Sequence, residues 1–123
     1  MTRLLLLDDE RVNGELLKLS LEMDGYTVTL CPGLSHARAA ITADVSAFII
    51  DHYLGQGETG LELLQEIRQG QTAAAPDSFV IVTSGDDRRE EEALASGANM
   101  FLLKPFSPLK LSESIHQHLA SSS

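Results

Sequence analysis

Carboxylates, a hydroxyl and an ammonium group each stand directly after a short apolar run of this sequence. The side chains concerned are those of Asp8, Asp9, Asp51, Thr83 and Lys104. Short apolar runs with polar ends are typical of buried parallel strands, and an open parallel sheet presents its site at the carboxyl ends of its strands. The pattern therefore predicts that these side chains converge at one edge of a sheet.

The chemistry that suits this group is the binding of a divalent cation and of a phosphoryl group. Clustered carboxylates repel one another and need a compensating cation to stay ionised. Mg²⁺ is the natural candidate, because it prefers oxygen ligands and keeps water molecules that a phosphate oxygen can replace. Since phosphoryl transfer depends mostly on positioning and charge neutralisation, a cation and one lysine around a nucleophilic carboxylate suffice for it.

Five strand-like and five helix-like segments alternate along the chain and must position these residues. The predicted strands span 3–8, 26–30, 47–51, 79–83 and 99–103, and the predicted helices span 11–24, 34–43, 60–69, 87–96 and 108–119. Such alternation with short connections predicts βα units that build a parallel sheet covered by helices.

Apolar residues at helical spacing predict which helix faces pack on the sheet. The predicted core faces are Val12, Leu16, Leu19 and Met23 in the first helix, Leu61, Leu64 and Ile67 in the third, and Leu111, Ile115 and Leu119 in the fifth. The fourth predicted helix opens with the charged run 86–92 and offers little apolar cover. It is either a solvated surface helix or a movable element that docks weakly.

Length, charge and cysteine content narrow the class of protein. A chain of 123 residues indicates one domain, and its net charge of −9 disfavours direct binding to nucleic acid or to anionic lipid. No stretch approaches the length of a membrane span, and the first strand follows Met1 too closely for a signal peptide. The single cysteine, Cys31, cannot form an internal disulfide, so we expect a cytoplasmic location.

In these features the sequence resembles the receiver domain of two-component response regulators over essentially its whole length. The resemblance rests on the acidic pair after the first strand and on the spacing of 42, 32 and 21 residues that separates Asp9, Asp51, Thr83 and Lys104 in turn. It implies a doubly wound, flavodoxin-like (βα)5 fold with a five-stranded parallel sheet in the order 2-1-3-4-5. The implied domain spans 1–120, and 121–123 is a frayed tail or the start of a linker.

The resemblance implies how the acidic residues act. Asp51 is the expected phosphoacceptor, which carries the phosphoryl group as an acyl phosphate. Asp9 is expected to bind Mg²⁺ directly and Asp8 through water, while Asp51 and the backbone carbonyl of Tyr53 complete the protein ligands. Gly55 stands where the family commonly has proline. Apart from the resemblance, Asp8 has an alternative role as a cap of the first helix.

The resemblance also assigns the residues that respond to the phosphoryl group. Lys104 is expected to pair with the phosphoryl oxygens, and the peptide bond between Lys104 and Pro105 is expected to be cis. Thr83 is the expected switch hydroxyl, with the neighbouring Ser84 as an alternative. Phe101 is the expected aromatic switch residue on the fifth strand.

The implied function is a signalling switch and not an enzyme in the usual sense. A histidine kinase or a histidine phosphotransfer protein donates the phosphoryl group, and the altered conformation controls an output domain or a downstream protein, with a phosphorylation-dependent dimer as a further implied state. One rival is a Mg²⁺-dependent phosphatase, which usually places Asp-x-Asp after its first strand, unlike Asp8, Asp9 and Glu10 here. A second rival is a receiver-like binding module that never uses phosphate.

Overall fold

The computed structural model describes residues 2–121, including the backbone but not the side chain of Ser121. The strands are β1 (Arg3–Leu7), β2 (Thr27–Cys31), β3 (Val45–Asp51), β4 (Phe79–Ser84) and β5 (Met100–Leu103). The helices are α1 (Arg11–Met23), α2 (Leu34–Ala40), α3 (Leu61–Arg68), α4 (Glu90–Ala95) and α5 (Pro108–Ser121). All ten predicted elements are present, although α2 and α4 are shorter than predicted.

The five strands pair in parallel and form one sheet in the order β2-β1-β3-β4-β5, which confirms the predicted doubly wound fold. The central strands β3 and β4 are buried along nearly their whole length, because helices cover both faces of the sheet. Alternate residues of β3 enter different apolar clusters. Phe48 and Ile50 pack with α2 and α3 on one face, and Ile49 packs with α1 and α5 on the other.

Helix α1 packs on the sheet with a different face from the one predicted. Its four predicted core residues are 57–80% exposed: Val12, Leu16, Leu19 and Met23. The buried face consists instead of Gly14, Leu17 and Leu21. Gly14 permits a close approach to β2, since a Cβ at this position would lie only 2.9 Å from the side chain of Leu30. The prediction was wrong because two stripes of α1 satisfy the helical period and the period does not say which one faces the sheet.

Helices α3 and α5 face the sheet as predicted. The predicted core residues of α3 are all buried: Leu61, Leu64 and Ile67. In α5, Leu111 and Ile115 are fully buried, and Leu119 packs partly buried against the cluster that contains Ile49. Helices α3 and α5 therefore pack on opposite faces of the sheet.

The charged fourth segment forms a short helix with little apolar contact. Residues 87–89 make a 3₁₀ turn, and α4 proper has six residues, of which Ala93 alone is buried. Asp86 starts the turn, because its carboxylate accepts a hydrogen bond from the N–H of Arg88 at 3.0 Å and pairs with the guanidinium of the same residue at 2.9 Å. The segment is thus a solvated helix that packs on the rest of the protein with little buried apolar surface.

The remaining predictions about the chain concern its cysteine, its end and membranes. Cys31 is a free cysteine, buried at the end of β2. Ser121 is the last residue of α5, while Ser122 and Ser123, which were predicted to form a tail or a linker, lie outside the described residues. Within residues 2–121, no helix has the length and apolar character needed to cross a membrane.

Candidate functional site

The predicted site residues meet at the carboxyl edge of the sheet. Asp51 is the last residue of β3 and lies beside Thr83 in the pairing of β3 with β4. Asp8 directly follows β1, and Lys104 directly follows β5. Because these strands are parallel, their carboxyl ends lie at the same edge, and the four side chains come from different elements to one place.

Three carboxylates form a compact group, those of Asp8, Asp9 and Asp51. Each contributes an oxygen, and these oxygens all lie within 4.8 Å of one another. Asp8 and Asp51 are only 3% and 6% exposed, whereas Asp9 is exposed. Oxygen donors at this spacing fit a hard cation such as Mg²⁺, which binds few protein ligands and keeps part of its water. The exposed Asp9 leaves the group open to solvent on one side.

Asp51 and Lys104 form the central charge pair of the edge. The ammonium of Lys104 lies 3.0 Å from Oδ2 of Asp51 and 3.6 Å from Oδ2 of Asp8. Burial raises the pKa of Asp51 from 3.8 to about 6, against the opposing effect of Lys104 and with a further upward effect of the charges on Asp8 and Asp9. Burial by itself lowers the pKa of Lys104, but the hydrogen bond to Asp51 and the nearby negative charges leave that pKa above its ordinary value.

Asp8 is held by two hydrogen bonds from the start of α1. Its Oδ1 accepts a hydrogen bond from the N–H of Glu10 at 2.9 Å, and its Oδ2 accepts one from the side-chain amide of Asn13 at 2.8 Å. The bond from Glu10 closes a turn before α1, whose N-cap residue is Glu10 and has no side-chain cap hydrogen bond. Asp8 is therefore not the cap of α1, and its carboxylate belongs to the acidic group. Sequence reasoning missed Asn13, since one amide in the first turn of a helix forms no distinctive pattern.

Gly60 allows the start of α3 to approach the end of β3 closely. A Cβ at this position would collide with the backbone carbonyl of Asp51 and with the side chain of Ile50. The N–H of Gly60 also donates a hydrogen bond to the carbonyl of His52 at 2.9 Å. Only a residue without a side chain fits here, so Gly60 helps to fix the backbone that carries Asp51. The sequence predicted only that a helix begins at position 60, and it did not indicate this close approach.

The two hydroxyls at the end of β4 have different surroundings. Thr83 and Ser84 are both buried. The hydroxyl of Ser84 accepts a hydrogen bond from the N–H of Asp86 at 3.1 Å, so it already takes part in the turn that leads to α4. Thr83 lies beside Asp51, and its carbonyl accepts a hydrogen bond from the N–H of His52 at 2.8 Å.

The remaining two predicted residues lie in β5 and just after it: Phe101 and Pro105. Phe101 is partly buried and packs against the apolar cluster on the α2 and α3 side of the sheet. The peptide bond between Lys104 and Pro105 is cis. The N–H of Lys104 donates a hydrogen bond to the carbonyl of Ser84 at 2.8 Å, which extends the pairing of β4 and β5 by one bond toward the site.

An open cavity of about 500 Å³ lies between the loop that follows β3 and the turn that follows β4, on the side of α4. Tyr53 and Gly85 are among the residues that line it, and the Tyr53 side chain is 60% exposed. Backbone pairing between Tyr53 and Thr59 closes the loop between β3 and α3. On the same side, Nε2 of His52 lies 2.9 Å from Oε1 of Glu92, which links the residue after Asp51 to α4.

Comparison of this sequence with known protein families agrees with the resemblance to receiver domains. The family model described as response regulator receiver domain matches residues 4–116 of this chain. Protein PetR of Rhodobacter capsulatus is 34% identical over 104 residues, which cover 85% of this chain and 42% of PetR. The phosphate regulon transcriptional regulatory protein PhoB of Pseudomonas aeruginosa is 26% identical over 108 residues, or 88% of this chain and 47% of PhoB. This chain therefore spans less than half the length of these two relatives.

Solved structures share the fold over nearly the whole chain. The Francisella response regulator 1452 receiver domain has a TM-score of 0.87 at 23% identity and covers 100% of both chains. The response regulator protein TrrA of Thermotoga maritima, solved in complex with Mg²⁺-BeF, has a TM-score of 0.82 at 25% identity and covers 95% of this chain and 98% of its own. From the match over residues 4–116 and the shared strand order, this chain belongs to the family of response regulator receiver domains.

Proposed function

We propose that this receiver domain is a phosphorylation-dependent switch in which Asp51 accepts a phosphoryl group in a Mg²⁺-dependent reaction. The observation that carries the proposal is the place of the buried Asp51 carboxylate, between the oxygens of Asp8 and Asp9 and the ammonium of Lys104 at 3.0 Å. This arrangement supplies a nucleophilic carboxylate, acidic ligands for a cation and a positive group for the phosphoryl oxygens.

The donors in this proposal are a histidine kinase or a histidine phosphotransfer protein. An oxygen of Asp51 forms a bond to phosphorus as the bond from phosphorus to the donor histidine nitrogen breaks, and the imidazole leaves with the electron pair of that bond. Asp9, Asp51 and the carbonyl of Tyr53, together with Asp8 through water, would hold Mg²⁺, which would supply neutralisation of charge on the phosphoryl oxygens. The Mg²⁺-BeF complex of TrrA supports the assignment of the metal.

Conversion of Asp51 to an acyl phosphate breaks the charge pair seen here. In our proposal the ammonium of Lys104 then pairs with a phosphoryl oxygen, and the hydroxyl of Thr83 donates to another. We favour Thr83 over Ser84 because Thr83 lies beside Asp51, whereas the Ser84 hydroxyl already serves the turn before α4. A shift of Thr83 toward the site changes the packing available to Phe101, and this difference between two states is what a partner reads.

Phosphorylation is tested with acetyl phosphate and Mg²⁺, followed by intact-mass measurement. We expect one added phosphoryl group that is labile to base, and no addition without Mg²⁺ or in Asp51→Asn. Asp77→Asn removes an exposed carboxylate away from the site and serves as the matched control, which should be labelled like the parent. Labelling of Asp51→Asn at the rate of the parent would remove Asp51 from its proposed role.

The exposed stripe of α1, formed by Val12, Leu16, Leu19 and Met23, is the surface that we assign to the protein donor. Helix α1 begins two residues after the acidic pair, so the stripe leads away from the edge that carries Asp51. Single exposed apolar residues are common on protein surfaces, but here four large apolar side chains form one continuous row on a surface helix. Their spacing of four, three and four residues matches what an amphipathic partner helix covers.

Leu16→Glu tests this surface. We expect a histidine kinase that phosphorylates the parent to act poorly on Leu16→Glu, while acetyl phosphate labels both proteins equally. Leu94→Glu on α4 makes the same change at another exposed leucine and should behave like the parent toward the kinase. If Leu16→Glu leaves the kinase reaction unchanged but alters the oligomeric state of the phosphorylated protein, the stripe is instead a contact between two copies of this chain.

The wider role is proposed from the relatives and from charge. PetR and PhoB extend well beyond the length of this chain, and PhoB is a transcriptional regulatory protein, so we propose an output domain or a downstream protein as the target of the switch. We place the domain over residues 1–120 and in the cytoplasm. Its charge of −9 makes direct contact of this domain with nucleic acid unfavourable.

A further inference from the structure

The two acids that follow β1 are held in different ways. Asp9 is exposed, whereas Asp8 is 3% exposed and has hydrogen-bond partners on both of its oxygens. An ionised carboxylate without such partners is costly to bury, and hydrogen bonds to the charged form offset this cost. The orientation of Asp8 is therefore set by its donors and not by solvent.

One of these donors is a side chain that the proposed phosphorylation chemistry does not use. Asn13 lies in the first turn of α1, half-buried, and its Nδ2 lies 2.8 Å from Oδ2 of Asp8. The same oxygen is 3.6 Å from the ammonium of Lys104, which in turn pairs with Asp51 at 3.0 Å. The Asn13 amide thus helps to determine where Asp8 stands relative to Lys104 and to Asp51.

The chemistry of the amide matters as much as its position. A carboxamide is neutral, so it orients Asp8 without cancelling the negative charge that attracts a divalent cation. A lysine or an arginine at the same place would also donate a hydrogen bond, but its charge would compete with the cation for Asp8. Mg²⁺ demands near-ideal octahedral geometry and dehydrates reluctantly, so a carboxylate that is fixed in advance favours its binding.

We propose that Asn13 is a positioning residue for the cation site: its neutral amide holds Asp8 in the orientation in which the acidic pair binds Mg²⁺. This role rests on the proposed function, because it requires that the acidic group binds Mg²⁺. It also connects α1 to the site, so the helix with the exposed stripe carries a side chain that bonds directly to the acidic pair.

Asn13→Leu tests this role, because leucine keeps the branching of asparagine at Cγ but has no donor. We expect the dissociation constant for Mg²⁺, measured by calorimetric titration, to rise by about 10–100-fold, as for the loss of other groups that orient metal ligands. Labelling by acetyl phosphate should need more Mg²⁺ and recover when Mg²⁺ is saturating. Asn13→Ala, which adds no bulk and favours the helix, should show the same change in affinity.

Ser20→Leu is the matched control, since Ser20 is also half-buried and lies two turns further along the same face of α1. It introduces the same side chain without touching Asp8 and should keep the affinity of the parent. A purely structural role of Asn13 predicts lower stability with unchanged Mg²⁺ affinity of the folded protein, and that result would overturn the proposal. A parent protein that binds no Mg²⁺ would overturn the proposed cation site itself and this role with it.

Discussion

Helices α1 and α4 both begin near the edge that carries Asp51, but they are attached to the sheet in opposite ways. Helix α1 has 13 residues, buries Gly14, Leu17 and Leu21 and bonds to the acidic pair through Asn13. Helix α4 has six residues and buries only Ala93. Its link to the end of β3 is the polar contact between His52 and Glu92, in which the glutamate is half exposed.

This difference indicates which side of the site is fixed and which side can move. Buried apolar area stabilises an attachment by about 25 cal/mol per Å², whereas an exposed ion pair contributes at most about 1 kcal/mol. Helix α1 is therefore a firmly attached frame for Asp8 and for the exposed stripe that we propose as a partner surface. Helix α4 belongs to the part of the fold that opens most easily, which suits an element that reports a change at Asp51.

Truncation of one leucine on each helix should separate the two attachments most clearly. Leu17→Ala on α1 should lower the free energy of unfolding by about 2–5 kcal/mol, because Leu17 is 4% exposed and its loss leaves a cavity. Leu94→Ala on α4 should change it by no more than about 0.5 kcal/mol, since Leu94 is 44% exposed. Urea unfolding measures both, and equal losses would contradict the comparison.

The buried carboxyl group of Asp51 should make the stability of the metal-free protein depend on pH. Because burial raises its pKa from 3.8 to about 6, the folded protein holds this proton more tightly than the unfolded chain does. The resulting stabilisation is fully present below about pH 4 and is lost as the pH rises through about 6. Relative to Asp51→Asn, the metal-free parent should lose roughly 3 kcal/mol between pH 4 and pH 8. Parallel stability curves for the two proteins would contradict this assignment.

Removal of Asp9 should separate metal binding from folding. Asp9→Ala should weaken Mg²⁺ binding by about 10-fold or more, since it removes a charged ligand, and leave metal-free stability unchanged or slightly higher, since it relieves repulsion in the acidic group. Asp87→Ala removes an exposed carboxylate on the α4 side and should leave Mg²⁺ affinity unchanged. A drop in metal-free stability of Asp9→Ala would mark Asp9 as a structural cap.

The polar link of α4 should account for a small part of its attachment. Glu92→Gln should speed amide hydrogen exchange in residues 87–96, while exchange in α1 stays unchanged. The free energy of local opening of this segment should fall by less than about 1 kcal/mol. Glu91→Gln removes the same charge one residue away and should have less effect. If Glu92→Gln and Glu91→Gln behave alike, the contact with His52 does not hold α4.

The smallest expected effect concerns the lifetime of the acyl phosphate. Tyr53 and Gly85 line the cavity on the α4 side, with a ring on one wall and no side chain on the other. We expect slow hydrolysis on the hypothesis that the Tyr53 ring screens the proposed acyl phosphate and that Gly85 offers no side chain to orient water. Tyr53→Ala should modestly speed dephosphorylation after the phosphodonor is removed. An unchanged or slower rate would mean that the loop or a partner phosphatase sets the lifetime.

The sequence alone determined the fold and the membership of the acidic group. Apolar runs mark the buried strands, and the residues directly after a run must lie at the carboxyl edge of a parallel sheet, so the convergence of Asp8, Asp51 and Lys104 followed from local patterns. The core faces of α3 and α5 also followed, since each of these helices has one dominant apolar stripe.

Only the tertiary structure decided which stripe of α1 faces the sheet, because the helical period fits both and the close approach at Gly14 selects the one with Leu17 and Leu21. It also decided the partners of the acidic residues. Asn13 meets Asp8 and Gly60 meets the Asp51 backbone only once α1 and α3 have docked. Such contacts depend on the distance between packed elements, which local sequence patterns do not encode.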